Sequence, residues 1–206
     1  MMNLAAFASG RGTNFTAILH HLTQHSLPAR YVLLVSDRAN PPVAEVALSA
    51  GIPFLHLNPK GFASAEEYAA RLVRDLERYR VDWITLAGYL KMVPAAVVQG
   101  WHDRILNIHP ALLPFFGGPG MYGERVHRAV IESGMKVSGA TVHLVDEQYD
   151  HGPIILQDTV PVRYDDTPDS LAHRVLEVEH RIYPQAVELA VMGKIRVDGR
   201  RVEILP

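Results

Sequence analysis

Short apolar, β-branched runs alternate in this chain with stretches of helical spacing, and that alternation limits its possible folds more than any other feature. Leu4–Ala8, Tyr31–Ser36, Ile52–Leu57 and Trp83–Ala87 read as strands. Between the first two, Phe15–His25 sets Phe15, Ile18, Leu19 and Leu22 on one helical face. Pro42–Ala50 is a helix started by proline and closed by Gly51. Ser64, with Glu67 placed to complete a capping box, opens a helix that runs to Tyr79. Strands separated in this way predict an α/β fold: a doubly wound, mostly parallel, Rossmann-like sheet with helices on both faces and right-handed crossovers.

Ile105–Ile108 is a fifth strand, cut off by Pro110, and Val126–Ser133 returns to helix. Ser138–Val145 and Ile154–Val162 are expected to pair antiparallel across the polar loop Asp146–Pro153, giving the sheet an antiparallel C-terminal part. Pro168–Met192 reads as a long amphipathic helix interrupted near Pro184. Lys194–Leu205, with Asp198-Gly199 between two short alternating runs, reads as a terminal hairpin. No repeat and no Pro- or Ser-rich linker divides the chain, so residues 1–206 are expected to form a single domain.

Composition excludes several classes of function. A net charge of −2, with no Lys/Arg run longer than a pair, gives no surface built for nucleic acid or an anionic membrane. Small-molecule substrates remain, a small anion among them. With no cysteine, disulfides, Cys-zinc sites and thiol nucleophiles are impossible. The N-terminus has no basic region and runs directly into Ser9-Gly10, so it reads as a strand and not as a signal peptide. A cytoplasmic protein is expected, monomeric or weakly homodimeric. His21 and His25 lie one helical turn apart, and His173 and His180 two turns apart, but both pairs read as surface histidines and no metal is expected.

Asn107 and His109 are alternate residues of one strand, so both side chains emerge on the same face at its C-terminal end. Open α/β sheets bind ligands at that edge. The other reading of the pair is structural, with Asn107 capping a turn and His109 bonded to a carbonyl. A carboxylate from the Asp146–Asp150 loop would raise the pKa of His109 and let it donate a proton near neutrality. Asn107 would offer an N–H to a developing oxyanion. With no Ser or Cys nucleophile nearby, direct transfer between two bound substrates is favoured over a covalent intermediate.

Ser9-Gly10-Arg11-Gly12-Thr13-Asn14 joins a strand to a helix, an arrangement that turns backbone N–H groups and a helix dipole toward a phosphate. It does not meet the dinucleotide fingerprint, because Phe15 stands where the third glycine belongs. Asp37, after the next strand, nonetheless keeps a ribose-reading NAD alternative open. Gly88–Pro94 is an apolar segment with one cation at a strand's C-terminal end. Phe115–Gly123, rich in glycine, reads as a mobile lid.

Asn107-Ile-His-Pro-Ala-Leu-Leu-Pro114, Ser138-Gly-Ala-Thr-Val-His143 and Asp150-His-Gly-Pro-Ile-Ile-Leu-Gln157 together resemble the folate-dependent formyltransferases. Ser9–Asn14 and Glu179-His-Arg-Ile-Tyr-Pro184 extend the likeness over nearly the whole chain, toward the branch of that family acting in de novo purine biosynthesis. The resemblance implies one formyltransferase domain that moves a formyl group from 10-formyltetrahydrofolate, a consumed co-substrate, to the amine of 5-phosphoribosylglycinamide. It implies His109 as general acid and Asn107 as donor to the formyl oxygen. Asp150 would hold His109 protonated and order a water for proton shuttling. Gly10, Gly12, Thr13 and Asn14 would bind the ribonucleotide phosphate, and Glu179 the ribose hydroxyls. Leu90, Lys91, Met92 and Val93 would line the pterin pocket, with Asn107, Leu144, Val145 and Asp146 on its other side. The chain departs from the family pattern at Ala65, where some members carry a basic residue and where Lys60 is a candidate substitute. It departs again in a Gly117–Gly123 loop longer than in many relatives.

Three other readings compete. A formyltetrahydrofolate deformylase shares the Asn/His/Asp set but carries an N-terminal regulatory domain, whereas the first strand here is expected from Leu4. A methionyl-tRNA formyltransferase adds a basic RNA-binding domain. A nucleotide-binding module would use the glycine-rich turn and leave Asn107, His109 and Asp150 idle.

Overall fold

The computed structural model describes residues 1–206. Its main sheet has seven strands in the order β3-β2-β1-β4-β5-β6-β7, mostly parallel, and a separate two-stranded sheet is formed by β8 and β9. The chain divides into two compact units, Met1–Leu106 and Asn107–Pro206.

In the first unit β1 (Met2–Phe7) is followed by α1 (Thr13–Gln24), β2 (Ala29–Ser36), α2 (Pro42–Ser49) and β3 (Phe54–His56). A 3-10 turn at Pro59–Gly61 leads to α3 (Ala65–Arg78), β4 (Trp83–Leu86) and α4 (Ala95–Gly100). β1 pairs in parallel with β2 on one side and with β4 on the other. The winding therefore reverses beside β1, and the segments that leave β1 and β4 flank the switch point where such sheets bind ligands. Leu4, Phe7, Phe15, Ile18, Leu33, Leu34, Leu72, Leu76 and Ile84 form a fully buried core. Ser64 caps α3 as expected, its hydroxyl accepting from Glu67 N at 3.2 Å; the Glu67 carboxylate reaches one residue further back, to Ala63 N at 2.9 Å. α4 was not foreseen. Its six residues are too few to show a helical period.

In the second unit β5 (Ile105–His109), which begins just before the boundary, leads to α5 (Glu124–Glu132), β6 (Val137–Leu144) and β7 (Ile154–Pro161). α6 (Pro168–Val191) and the hairpin β8 (Ile195–Asp198) and β9 (Arg201–Ile204) follow. β6 and β7 pair antiparallel, with an irregularity beside His143. Two close approaches explain glycines in this region: a Cβ on Gly139 would lie 2.0 Å from the Asp158 carbonyl oxygen, and one on Gly152 1.9 Å from that of Leu144.

Two expectations are corrected here. α6 runs unbroken through Pro184. Proline forfeits one N–H bond, but Val178, Ile182 and Tyr183 before it and Ala186, Val187 and Ala190 after it are all buried, so packing holds both halves in line. The hairpin loop is Gly199-Arg200 and not Asp198-Gly199, because Asp198 pairs with Arg201. Gly199, with φ +57, supplies the left-handed residue the turn requires. No helix is long and apolar enough to cross a membrane.

Candidate active site

Alternation along β5 buries Ile108 and brings Asn107 and His109 to one place, where Asp150 meets both. Asp150 Oδ2 lies 3.5 Å from His109 Nδ1, and Oδ1 lies 3.5 Å from Asn107 Nδ2. Asp150 has a φ of +52, a left-handed conformation that a short polar side chain tolerates better than most.

The start of the glycine-rich segment is docked onto this cluster. His109 Nε2 donates to the Phe116 carbonyl at 2.8 Å, and Gly118 N donates to Asp150 Oδ2 at 2.9 Å. A Cβ on Gly117 would stand 2.6 Å from Leu113 Cδ2 and 3.1 Å from Asp150 Cβ. The missing side chain is what allows backbone to approach a buried carboxylate so closely. Residues 116–118, the first part of the segment expected to act as a mobile lid, are tied to His109 and Asp150 in this structure.

Three residues outside the expected set hold the cluster in shape. His143 Nδ1 faces the Leu144 carbonyl at 2.7 Å, which only an N–H can satisfy, so Nε2 is left as an acceptor. That acceptor takes a hydrogen bond from Asn107 Nδ2 at 3.0 Å and so orients the amide. Thr141 Oγ1 donates to the Ala111 carbonyl at 2.6 Å and accepts from Leu113 N at 3.1 Å, pinning the turn that follows β5. Gln157 Nε2 adds bonds to Leu113 O and Thr141 Oγ1, both at 2.9 Å. The legible signal was polar side chains within an otherwise apolar strand. His127 on α5 was also missed: it is buried, and the charge of His109 adds to burial in lowering its pKa to about 4.

The electrostatics differ from expectation in one respect. Burial lowers the pKa of His109, Asp150 and the Phe116 carbonyl raise it, and His143 lowers it again; the net position is below the ordinary histidine value. The carboxylate acts in the expected direction, but desolvation of a ring only 3% exposed outweighs it. For Asp150 burial is again the largest single influence and raises the pKa. Here His143, His109 and Gly118 N together win and hold the carboxyl below its usual range.

In the first unit, the Ser9–Asn14 turn leads into α1 with Gly12 as its N-cap residue and no side-chain cap. Gly12 has φ +70, and a Cβ there would lie 2.1 Å from Val43 Cγ2, so packing on α2 demands glycine whatever the turn binds. Gly10 meets nothing within 4 Å. Asp37 does not offer itself to a ribose, because Oδ1 accepts from Ser9 Oγ at 2.5 Å and Oδ2 faces Lys91 Nζ at 3.8 Å. The NAD alternative loses its acidic reader.

A profile of the formyl transferase family matches residues 2–187. The chain belongs to the formyl transferase family. It is 47% identical, over 95% of its length, to the chloroplastic phosphoribosylglycinamide formyltransferase of Arabidopsis thaliana, of which it covers 68%. It is 35% identical to the phosphoribosylglycinamide formyltransferase of Bacillus subtilis (strain 168), over 91% of this chain and 94% of that one. Among solved structures, glycinamide ribonucleotide transformylase 1 from Symbiobacterium toebii matches with a TM-score of 0.94 and 42% identity, covering 100% of this chain and 95% of that one.

The remaining expected residues of this formyl transferase are placed as follows. Thr13 is the first residue of α1 and Asn14 is buried in its first turn. Glu179 is buried on α6. Leu90 and Met92 are 47% and 50% exposed, while Val93 and Leu144 are buried. Val145 is half-buried. The Asp146 carboxylate accepts from Gln148 N at 2.8 Å and from His151 Nδ1 at 2.7 Å. Arg200, at the hairpin tip, lies 2.6 Å from His151 Nε2 and ties that same loop to the terminal hairpin. Ala65 opens α3, and Lys60 sits exposed in the 3-10 turn.

Proposed function

We propose that this protein transfers a formyl group from 10-formyltetrahydrofolate to the amine of 5-phosphoribosylglycinamide in de novo purine biosynthesis, acting through both units as one formyltransferase domain. The observation that carries the proposal is the convergence of Asn107 and His109 on Asp150, in a chain similar along nearly its whole length to enzymes named for that reaction.

The chain's own residues divide the work. Asn107 has two N–H groups. One is held by His143 Nε2 at 3.0 Å, and the other lies at the hydrogen-bond limit of 3.5 Å from Asp150, available to the formyl oxygen as charge gathers there. His109 begins neutral at pH 7, with its Nε2–H on the Phe116 carbonyl. Its Nδ1 takes the proton that the amine loses on attack, and Asp150 stabilises the imidazolium so formed. The ring then acts as general acid and returns that proton to the folate nitrogen. Asp150, ionised at neutral pH, changes no protonation state in the cycle.

Gly10, Gly12, Thr13 and Asn14 bind the ribonucleotide phosphate at the uncapped start of α1, and Glu179 binds the ribose. The exposed apolar surface of Leu90 and Met92 suits a pterin, with Lys91 and Val93 beside them and Asn107, Leu144, Val145 and Asp146 as the further contacts. The substrates are small molecules, with neither nucleic acid nor membrane as partner. The protein acts in the cytoplasm, as a monomer or weak homodimer.

The deciding experiment incubates the protein with 10-formyltetrahydrofolate, with and without glycinamide ribonucleotide. Formyl transfer only in the presence of the ribonucleotide is expected. Release of formate without it would assign a deformylase, and inertness under both conditions would overturn the proposal.

A further inference from the structure

Asp37 is a carboxylate only 8% exposed, and burying one is costly unless its oxygens are used. Both are. Oδ1 takes the hydroxyl proton of Ser9 at 2.5 Å, a charge-assisted bond, and Oδ2 faces Lys91 Nζ at 3.8 Å. With its one proton committed, the Ser9 hydroxyl turns a lone pair to Leu90 N, which donates to it at 3.1 Å. Ser9 N in turn donates to the Gly88 carbonyl at 3.1 Å. Asp37, Ser9, Leu90 and Lys91 therefore close a ring of contacts within the first unit.

The two ends of that ring have different tasks. Ser9 is the residue from which the Gly10–Asn14 turn departs, whereas Leu90 and Lys91 begin the exposed apolar segment after β4. That segment has little slack. The ring of Tyr89 packs edge-on against Phe7, with centroids 5.3 Å apart, and its hydroxyl bonds to that of Tyr68 at 2.7 Å. The Leu90 main chain is thus tied to the Ser9 hydroxyl on one side and to the packed Tyr89 on the other.

We infer that Asp37 is a positioning residue that couples the two substrates: through the Ser9 hydroxyl it sets the main chain of the pterin wall according to whether the neighbouring turn holds phosphate. This inference rests on the assignment of the turn and the wall made under Proposed function. Asp37 touches neither substrate. It makes occupancy of one subsite raise affinity at the other, and by reciprocity the effect is equal in both directions.

The test uses a pair that cannot react: tetrahydrofolate, which has no formyl group to give, and glycinamide ribonucleotide. The Kd of tetrahydrofolate is measured by calorimetry with and without saturating ribonucleotide. In the wild-type protein the ribonucleotide should tighten tetrahydrofolate binding by about fivefold or more. Asp37→Ala and Ser9→Ala should bring that factor close to one, and Asp37→Asn, which keeps an acceptor for Ser9, should retain it. Hydrogen exchange at the Leu90 amide should be roughly tenfold faster in Ser9→Ala, a loss of local protection. Should Asp37→Ala fail to fold, Ser9→Ala decides alone. Coupling that survives in Ser9→Ala, or wild-type protein that binds both ligands with no coupling, overturns the inference and leaves the functional reading standing. Wild-type protein that binds neither ligand overturns the functional reading and this inference with it.

Discussion

His143 Nε2 accepts a hydrogen bond from Asn107 Nδ2 at 3.0 Å, and the opposite ring nitrogen is fixed by the Leu144 carbonyl at 2.7 Å. One tautomer of a buried ring thereby decides which way a neighbouring amide points. His143→Phe fills similar space but removes the acceptor. It should lower kcat by less than the roughly 10²–10³-fold that loss of a direct oxyanion donor costs, with little change in KM for either substrate. Steady-state kinetics in both substrates check this.

His109→Ala and Asp150→Asn should each lower kcat/KM by roughly 10²–10³-fold. Far-ultraviolet circular dichroism should be unchanged, since neither side chain belongs to the apolar core. A near wild-type rate in either variant would remove that residue from the proposed mechanism.

The pH dependence follows from the direction of the His109 shift. A ring that must start neutral and titrates below the ordinary histidine value should give a kcat/KM that falls only on the acid side of about pH 6.5. Asp150 raises the His109 pKa, so Asp150→Asn should move the ring's titration lower still. Proton NMR of the His109 ring across the acid range measures both quantities without relying on turnover.

His127 makes a separate prediction about stability. Its folded pKa is depressed to about 4, mainly by burial, against about 6.5 in the unfolded chain. Between those values the unfolded state binds the extra proton, so stability is lost as pH falls from about 6.5 toward 4, by on the order of 3 kcal/mol for this residue. Denaturant titrations at several pH values should show the loss, and His127→Gln should make it shallower.

Gly10 and Gly12 can be told apart. Gly12→Ala forces a Cβ to 2.1 Å from Val43 Cγ2 at a φ of +70, and should cost about 2–4 kcal/mol of stability. Gly10→Ala meets nothing within 4 Å, and should shift stability by no more than about 0.5 kcal/mol. Any rise in the KM for the ribonucleotide in Gly10→Ala then reports on phosphate binding alone. Thermal melts set beside substrate titrations separate the two effects.

These residues also show how far the sequence could be read. Period and punctuation located β1, β2 and β4, the Ser64 cap and the antiparallel pair β6 and β7, because each obeys a local rule. Asn107 and His109 were visible as alternate polar residues on an apolar strand. What stayed hidden was set by partners distant in the chain. Pro184 looks like a break until the buried residues on either side hold α6 straight. Asp37 looks like a ribose reader until Ser9 is found on its Oδ1. The net direction of the His109 pKa depends on how deeply the ring is buried, and no local pattern states that.

The Arg200–His151–Asp146 chain carries a practical consequence for anyone who handles this protein. Asp150 sits on the same short loop, next to the histidine that Arg200 holds, so a cut or an affinity handle placed inside the β8–β9 hairpin would be felt at Asp150. Purification handles belong at the other terminus, where the first residue of the chain is largely open to solvent.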